Sequence, residues 1–462
     1  MIKLYPHQEK LNNDCRQKLI EGFKYPLIQG ATGIGKSVCA ADQILKSQKK
    51  GKKSLFIVPR KQLVEQMADT FENFGIRFSY IAAGKPFNPY AQTHICSAMT
   101  LVNRLETVTP DVVFIDEAHI GGGSLDKIIQ HYKALGAYFV FLSATPKRLD
   151  GRGLGMWADC MVQGPTIRWL IDNKFLSDYR LFAPSSPDLT GIRSLAGDYD
   201  KHALSERMEG DRVLVGDAVT HYRKLAYGKL CVAFCASIRH SQIVAQSFND
   251  AGIPAMHMDG ETPMDERRKI IRAFAARELL VLSNVEIMTT GFDLSAAAGV
   301  DVTVEAITDL RPTKSLALQL QKWGRGLRKK DQPCIIMDHA GNAAYHGLPC
   351  SDRVWSLEDS KKKKKIAERT PPTKQCEACF CIHAPAPSCP ECGNVYETKS
   401  REIDEIDGEL QEISKEQAVL ERKREQGRAQ TLEELIALGK RRNMKYPAQW
   451  AAKVLAGRMM AR

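Results

Sequence analysis

Long hydrophobic runs are missing from this chain. None reaches the roughly 18 apolar residues that a membrane-spanning helix needs, and no apolar segment follows Met1-Ile2-Lys3. The expectation is a protein with no membrane partner, working in the cytoplasm. A disulfide framework is missing too. Of thirteen cysteines, Cys15, Cys39, Cys96, Cys231 and Cys235 are scattered through apolar or mixed segments, whereas Cys376, Cys379, Cys381, Cys389 and Cys392 crowd one short interval. Scattered thiols beside one compact cluster fit a reduced compartment with a single metal site.

What is present is length and positive charge. At 462 residues the chain suggests about three domains on a prior of roughly 150 residues each, and 44% hydrophobic residues are enough for substantial cores. A formal net charge of +12 favours an anionic partner, nucleic acid first and an acidic membrane surface second.

The chain is organised around Gln29–Ser37, QGATGIGKS. The apolar run Pro26 to Ile28 precedes it and the amphipathic stretch Val38 to Leu45 follows, which is the strand, glycine turn and helix that a phosphate-binding loop requires. Gly30, Gly33 and Gly35 let the backbone curl around a β-phosphate, Lys36 bridges β- and γ-phosphates, and the Ser37 hydroxyl is a ligand for Mg²⁺. Upstream, Tyr5 and Gln8 either meet an adenine by stacking and hydrogen bonding or simply begin a packed helix.

Leu55 to Val58 reads as a buried parallel strand ending at Pro59-Arg60-Lys61-Gln62, and Ile95-Cys96 as another with the polar exit Ser97-Ala98-Met99-Thr100. Ligands sit at strand exits in open α/β sheets. Arg60, Gln62, Ser97 and Thr100 are therefore candidate nucleic-acid phosphate contacts, with helix capping or plain solvation as the alternative. The run Asp111 to Ile115 drives into Asp116-Glu117-Ala118-His119. Adjacent carboxylates at the end of an apolar strand are costly unless they coordinate or polarise something. Asp116 is the Mg²⁺ partner in this reading, Glu117 orients the attacking water, and His119 couples the site to the next element. Tyr138 to Leu142 ends at Ser143-Ala144-Thr145-Pro146, whose hydroxyls can report nucleotide state, and Lys147, Arg148 and Arg152 follow in a Gly-rich loop suited to nucleic acid.

The order ATGIGKS, VPRKQ, DEAH and SATP resembles the first motor lobe of superfamily 2 helicases and translocases of the DEAD/DEAH type. The second half repeats the βαβ rhythm without a second phosphate loop, so it binds the nucleotide only from outside. Gln321-x-x-Gly324-Arg325-x-x-Arg328 puts two arginines on one helical face, placed as arginine fingers across a cleft, with Gln321 sensing water or phosphate. The resemblance covers roughly residues 1 to 345. It implies an α/β fold of two tandem RecA-like parallel-sheet domains, with Thr32 and Asp293 also in the nucleotide site. It further implies Ser237, Arg239, Thr289 and Thr290 on the nucleic acid. The stretch Arg311 to Arg328, with Ile336 to Asn342, resembles the RadD/YejH-like bacterial DNA-repair branch and its phage-encoded relatives. That branch implies DNA-stimulated ATP hydrolysis in a bacterial or phage-infected cytoplasm.

Beyond the motor, Lys361 to Lys365 either touch phosphates or keep a linker solvated. Cys376-x-x-Cys379 and Cys389-x-x-Cys392 have zinc-ribbon spacing, with all four positions filled and the metal structural. Cys381 is an extra thiol and His383 a weaker rival ligand. Ile403, Ile406, Leu410, Ile413, Gln417 and Leu420 follow a helical seam that Gly408 weakens. The end, Arg441-Arg442 to Tyr446-Pro447 and Trp450 to Met460, reads as a basic amphipathic helix. The expected divisions are lobe 1 at 1–165, lobe 2 at 166–345, a basic linker at 346–374, the ribbon at 375–398 and a helical tail at 399–462. A monomer with DNA as its partner is expected, and a replication or recombination protein is a candidate for the tail. Three functions compete: a DNA helicase or translocase, an RNA helicase, and a DNA-bound scaffold or loader switched by ATP. A nuclease is disfavoured because no second carboxylate-rich site follows the motor.

Overall fold

The computed structural model describes residues 3–148, 151–184, 186–195, 197–286, 294–295, 299–359, 372–396, 424–442, 444 and 446–460. Its first sheet is built from short apolar runs: β1 (Pro26–Gln29), β2 (Ser54–Val58), β3 (Ser79–Ile81), β4 (Thr93–Ser97), β5 (Val112–Ile115), β6 (Tyr138–Ser143) and β7 (Cys160–Gln163). The order is β3-β4-β2-β5-β6-β1-β7 and every pairing is parallel. Successive strand residues point to opposite faces, so Ile28, Phe56, Phe114 and Val140 enter one core while Leu27, Leu55, Val113 and Phe139 enter the other. Burial on both faces explains why these strands read as continuous apolar runs rather than alternating ones. Leu170, Ile171 and Leu176 also pack into the first core.

The second sheet repeats the plan with β8 (Tyr179–Phe182), β11 (Cys231–Phe234), β12 (Ala255–Met258), β13 (Val281–Asn284), β14 (Ala306–Asp309) and β15 (Cys334–Asp338). Its order is β12-β13-β11-β14-β15-β8, again all parallel. Between β8 and β11 the polar stretch after Pro184 forms a small antiparallel hairpin, β9 (Ser194–Leu195) with β10 (Asp198–Tyr199).

After the second lobe the chain returns to the first. Gly153 N–H donates to Asp359 Oδ1 at 2.8 Å and Gly155 N–H to the Leu357 carbonyl at 2.9 Å. Glycine is needed at 153 because a Cβ there would collide with the Leu357 and Glu358 backbone. The run Lys361 to Lys365 lies outside the described residues.

The cysteine-rich segment is fixed to the second lobe. Its strands β16 (Lys374–Gln375) and β17 (Ile382–His383) pair antiparallel. Cys381 bridges to Phe182 of edge strand β8, Ala183 N–H donates to the Phe380 carbonyl at 3.0 Å, and Arg180 Nε donates to Glu391 Oε2 at 2.8 Å. Cys381 is buried and belongs to the core that includes Phe182. The extra thiol is thus a packing residue.

Residues 397–462 form a separate unit. Within it Thr431 and Glu434 make a reciprocal capping box that starts the helix Leu432–Arg441. Gly439 lies against Pro447 and Trp450 of the next helix, Pro447–Met460. The basic end of the chain is thus divided between two helices, the second beginning at Pro447, since proline is pre-set for a first helical position. The seam at 403–420 lies outside the described residues.

Candidate active site and metal centre

All the first-lobe motifs emerge along one edge, at the carboxyl ends of β4, β2, β5, β6 and β1 in spatial order. The loop after β1 turns on Gly33 (φ 90°) and Gly35 (φ 89°), both left-handed. A side chain at Gly35 would also strike the Gln8 amide. Gln8 itself is buried, donating from Nε2 to the Ile34 carbonyl at 2.9 Å and accepting from Tyr5 N–H at 2.9 Å. This glutamine stitches the helix Pro6–Ile20 to the phosphate loop. Lys36 Nζ lies 3.1 Å from the Gly30 carbonyl, and Ser37 stands in the first turn of the helix Lys36–Lys49. That helix directs its first N–H groups at the loop.

Beside the loop lies an aromatic wall that motif spacing did not reveal. Tyr5, half exposed, packs on Phe175 at 5.1 Å between centroids, and Phe175 stacks on Trp169 at 5.8 Å with 14° between planes. Trp169 and Phe175 belong to the link between lobes and carry no motif. Only their sequence proximity to each other hinted at a cluster.

At the end of β5 the carboxylates are held by strained backbone. Glu117 has φ 46° and ψ 47°, an arrangement costly for a residue with a Cβ. Its N–H donates to Asp116 Oδ1 at 2.9 Å. Burial, with the Glu117 carboxylate beside it, pushes the Asp116 carboxyl up to about 7, and Lys36 opposes the rise. A buried carboxylate in such a field is stabilised by a cation, and the Ser37 hydroxyl with the Asp116 oxygens is the hard donor set that suits Mg²⁺.

His119 links three motifs. Ser143 Oγ donates to the Thr145 carbonyl at 2.5 Å, so it accepts from His119 Nδ1 at 3.0 Å. That assigns the proton to Nδ1, which also lies 3.3 Å from Glu117 Oε2, and leaves Nε2 to accept from Gln321 Nε2 at 3.5 Å. Burial lowers the His119 pKa, in keeping with a neutral imidazole. Gln321 and Arg325 are buried, and Gly324 sits against Thr32: a Cβ on the glycine would overlap that side chain. The helix Leu316–Gly326 of the second lobe therefore rests on the phosphate loop of the first. Arg328 is half-buried just beyond it, its backbone bridged to Leu176.

The candidate nucleic-acid residues are placed unevenly. Arg60 and Thr100 are half-buried, and Ser97 is buried at the start of the short helix Ala98–Leu101, where its side chain makes no capping hydrogen bond. A cavity beside them is lined by Pro59, Met99, Glu117, Gly122 and Ser124. Arg148 lays its guanidinium over Gly121 and the Trp157 ring. In the second lobe Ser237 Oγ is committed to capping, accepting from His240 N–H and donating to Glu209, whereas Arg239 is exposed. The Gln62 side chain and Thr289, Thr290 and Asp293 lie outside the described residues.

The four ribbon sulfurs, Cys376, Cys379, Cys389 and Cys392, all lie within 4.8 Å of one another. Cys376 to Cys392 is 3.6 Å and Cys379 to Cys389 is 3.7 Å. A tetrahedral ion with Zn–S bonds of about 2.3 Å requires roughly 3.8 Å between sulfurs. Left-handed Phe380 (φ 61°) and Gly393 (φ 75°) close the two knuckles. Although burial acts the other way, the Cys376 thiol is pulled down to about 6, with the Cys379 and Ala378 N–H groups on its sulfur. The donor set fits zinc. His383 spends Nδ1 on the Ala384 carbonyl and Nε2 on the Tyr396 hydroxyl, so it is no rival.

Residues 1–148 match the family described as the type III restriction enzyme res subunit, and residues 216–330 match the helicase conserved C-terminal domain. The chain is 31% identical over 400 residues to a 51.5 kDa protein of a Lactococcus phage (isolate 7-9), covering 85% of this chain and 83% of that one. It is 30% identical over 362 residues to the putative ATP-dependent helicase IRC3 of Saccharomyces cerevisiae, covering 73% of this chain and 51% of the yeast protein. The chain thus spans about half the length of that relative. Among solved structures, a fragment of a putative HsdR subunit of a type I restriction enzyme from Vibrio vulnificus YJ016 shares the fold with a TM-score of 0.59 at 18% identity. That likeness covers 77% of this chain and 67% of the fragment. With its phosphate loop, paired carboxylates and arginine-bearing helix meeting at one cleft, the chain belongs to the superfamily 2 helicases, as an ATP-hydrolysing enzyme in one family with the phage protein.

Proposed function

We propose that this enzyme is a DNA-stimulated motor that translocates along branched or replicating DNA or separates its strands, in repair, recombination or replication. One observation carries the reading: Gln321 on His119 and Gly324 on Thr32 bring the arginine-bearing helix of one lobe onto the phosphate loop of the other. ATP is the substrate. The loop glycines cradle its β-phosphate, Lys36 neutralises β- and γ-oxygens, and Tyr5 with Trp169 offers ring surface to the base. Glu117 orients the water that attacks the γ-phosphorus as the bond to the β–γ bridging oxygen breaks. Arg325 and Arg328 meet the charge that develops on the transferring group. Mg²⁺, held by Ser37 and Asp116, would supply charge neutralisation across the β- and γ-oxygens.

DNA as the track is supported by the charge of +12 and by the resemblance of Arg311 to Arg328 to a DNA-repair branch. Arg60, Gln62, Ser97, Thr100 and Arg148 on one lobe, with Arg239, Thr289 and Thr290 on the other, would contact backbone rather than base edges. Such contacts imply little sequence preference and a steep loss of affinity with salt. A replication or recombination protein is the proposed partner of the tail. ATP-driven displacement of streptavidin from end-biotinylated single-stranded DNA tests the motor. Displacement by the wild type and none by Glu117→Gln is expected, and ATP hydrolysis without displacement would overturn translocation.

A further inference from the structure

The helix Leu316–Gly326 has no free side. Nine of its eleven residues are buried, and Ser315 caps its first turn by accepting from Leu318 N–H. Its residues divide by helical spacing into two opposed faces. Gln321, Gly324 and Arg325 lie on one, with Arg328 just past the end, and this face meets the phosphate loop and His119. Gln319, Lys322, Trp323 and Gly326 form the other, directed into the second lobe.

That inner face ends in charge rather than hydrocarbon. Lys322 Nζ lies 2.6 Å from Asp309 Oδ1 with both side chains fully inaccessible, and it donates also to the Arg311 carbonyl at 2.8 Å. Gln319 Nε2 donates to Asp309 Oδ2 at 2.8 Å, Asn342 Nδ2 donates to the same oxygen at 3.1 Å, and Arg311 N–H reaches Oδ1 at 3.3 Å. Asp309 is the last residue of β14, so the network ties the helix to the sheet at a strand end. A buried ion pair usually stabilises a fold no better than apolar residues of the same volume, whereas its geometry is exacting. Hydrocarbon packing alone would let the helix roll or slide; a saturated carboxylate admits one position.

We infer that Asp309 and Lys322 are positioning residues for phosphoryl transfer: from the far side of the helix, they fix the rotation and height at which Gln321 and Arg325 face the cleft. The inference rests on the role given above to Arg325. It also explains why a lysine stands in the interior next to a tryptophan that is itself fully buried.

The test is steady-state ATP hydrolysis, with saturating single-stranded DNA, by the full chain carrying Asp309→Asn and Lys322→Met together. The double change removes both charges and avoids a stranded one. The expected result is a melting temperature at or above the wild type, a kcat lowered about tenfold to a hundredfold and an ATP KM within about threefold, since a misplacement near 1 Å costs up to about 10²-fold. Gln319→Met, which deletes one of the bonds to Asp309, provides a milder second variant. It should lower kcat severalfold at unchanged KM, and does so even if the double variant is too unstable to assay.

Arg325→Ala separates this inference from the reading beneath it. Alone it should lower kcat by about 10³-fold or more, as loss of an arginine finger does. In that background the Asp309→Asn and Lys322→Met changes should add less than threefold, because residues acting as one unit are not additive. A full rate in the folded double variant, or an undiminished further loss in the Arg325→Ala background, would overturn the positioning role. A full rate in Arg325→Ala would instead overturn the assignment of Arg325, and this inference with it.

Discussion

The two sheets share a parallel plan but treat their strand ends in opposite ways. At the end of β1 the first lobe opens into Gly30, Gly33 and Gly35, leaving backbone amides and Lys36 directed at the cleft. At the end of β14 the second lobe closes on itself: Asp309 accepts from Lys322, Gln319, Asn342 and the Arg311 N–H. In the first lobe Lys36 rests on the Gly30 carbonyl of its own loop, a local contact that a ligand can replace. The other satisfies its polar groups internally so that a helix is held still. In the mechanism proposed above, binding and positioning are thus divided between repeats of the same architecture, and the division can be attacked from either side.

The largest effect is expected at the binding side. Lys36→Ala should lower DNA-stimulated kcat/KM for ATP by about 10³-fold or more, measured by phosphate release, because in the proposed mechanism that ammonium stabilises the transferring group in a water-poor site. Next comes the ribbon, which extends the positioning lobe. Cys376, Cys381 and Cys389 share a core with Phe182, so Cys389→Ser should abolish bound zinc, from one ion per chain by elemental analysis. It should also lower the melting temperature of the motor, since zinc binding is folding energy for such modules. A melting temperature unchanged by zinc loss would mean that the ribbon is only tethered.

A smaller effect is expected at the aromatic wall. Trp169→Ala, removing the ring that stacks on Phe175, should raise KM for ATP by about threefold to tenfold with kcat little changed, because aromatic pairs contribute about 0.5–1.5 kcal/mol beyond their area. An equal fall in kcat would move Trp169 from binding into the positioning machinery. The smallest lies outside the comparison, in the separate C-terminal unit. Glu434→Ala breaks the capping box with Thr431 and should lower the helicity of this segment on heating, while leaving ATP hydrolysis of the motor unchanged.

What the sequence made legible follows the same division. The phosphate loop, the carboxylate pair, Gln321 to Arg328 and the four ribbon cysteines are each contained in one turn or one short helix, so local spacing already encodes their geometry. Burial of β2, β5 and β6 on both faces likewise followed from continuous apolar runs of strand length. The features that escaped depend on contacts between distant residues. Phe175 reaches Tyr5 across 170 positions of chain, Leu357 returns to Gly155, and Cys381 meets Phe182. No local pattern marks such partners. Lys322 escaped for a further reason: a lysine between Gln321 and Trp323 reads as a solvated residue until the sheet that buries it is in place.

The central claim is that nucleic acid controls an ATP site completed by both lobes. It is tested most directly by the steady-state ATPase rate of wild type and Glu117→Gln with single-stranded, duplex and forked DNA and with matched RNA, at two salt concentrations. The account predicts strong stimulation by DNA, weakened by salt and absent from Glu117→Gln. Equal stimulation by RNA would contradict the choice of DNA, and a rate indifferent to every nucleic acid would contradict the motor itself.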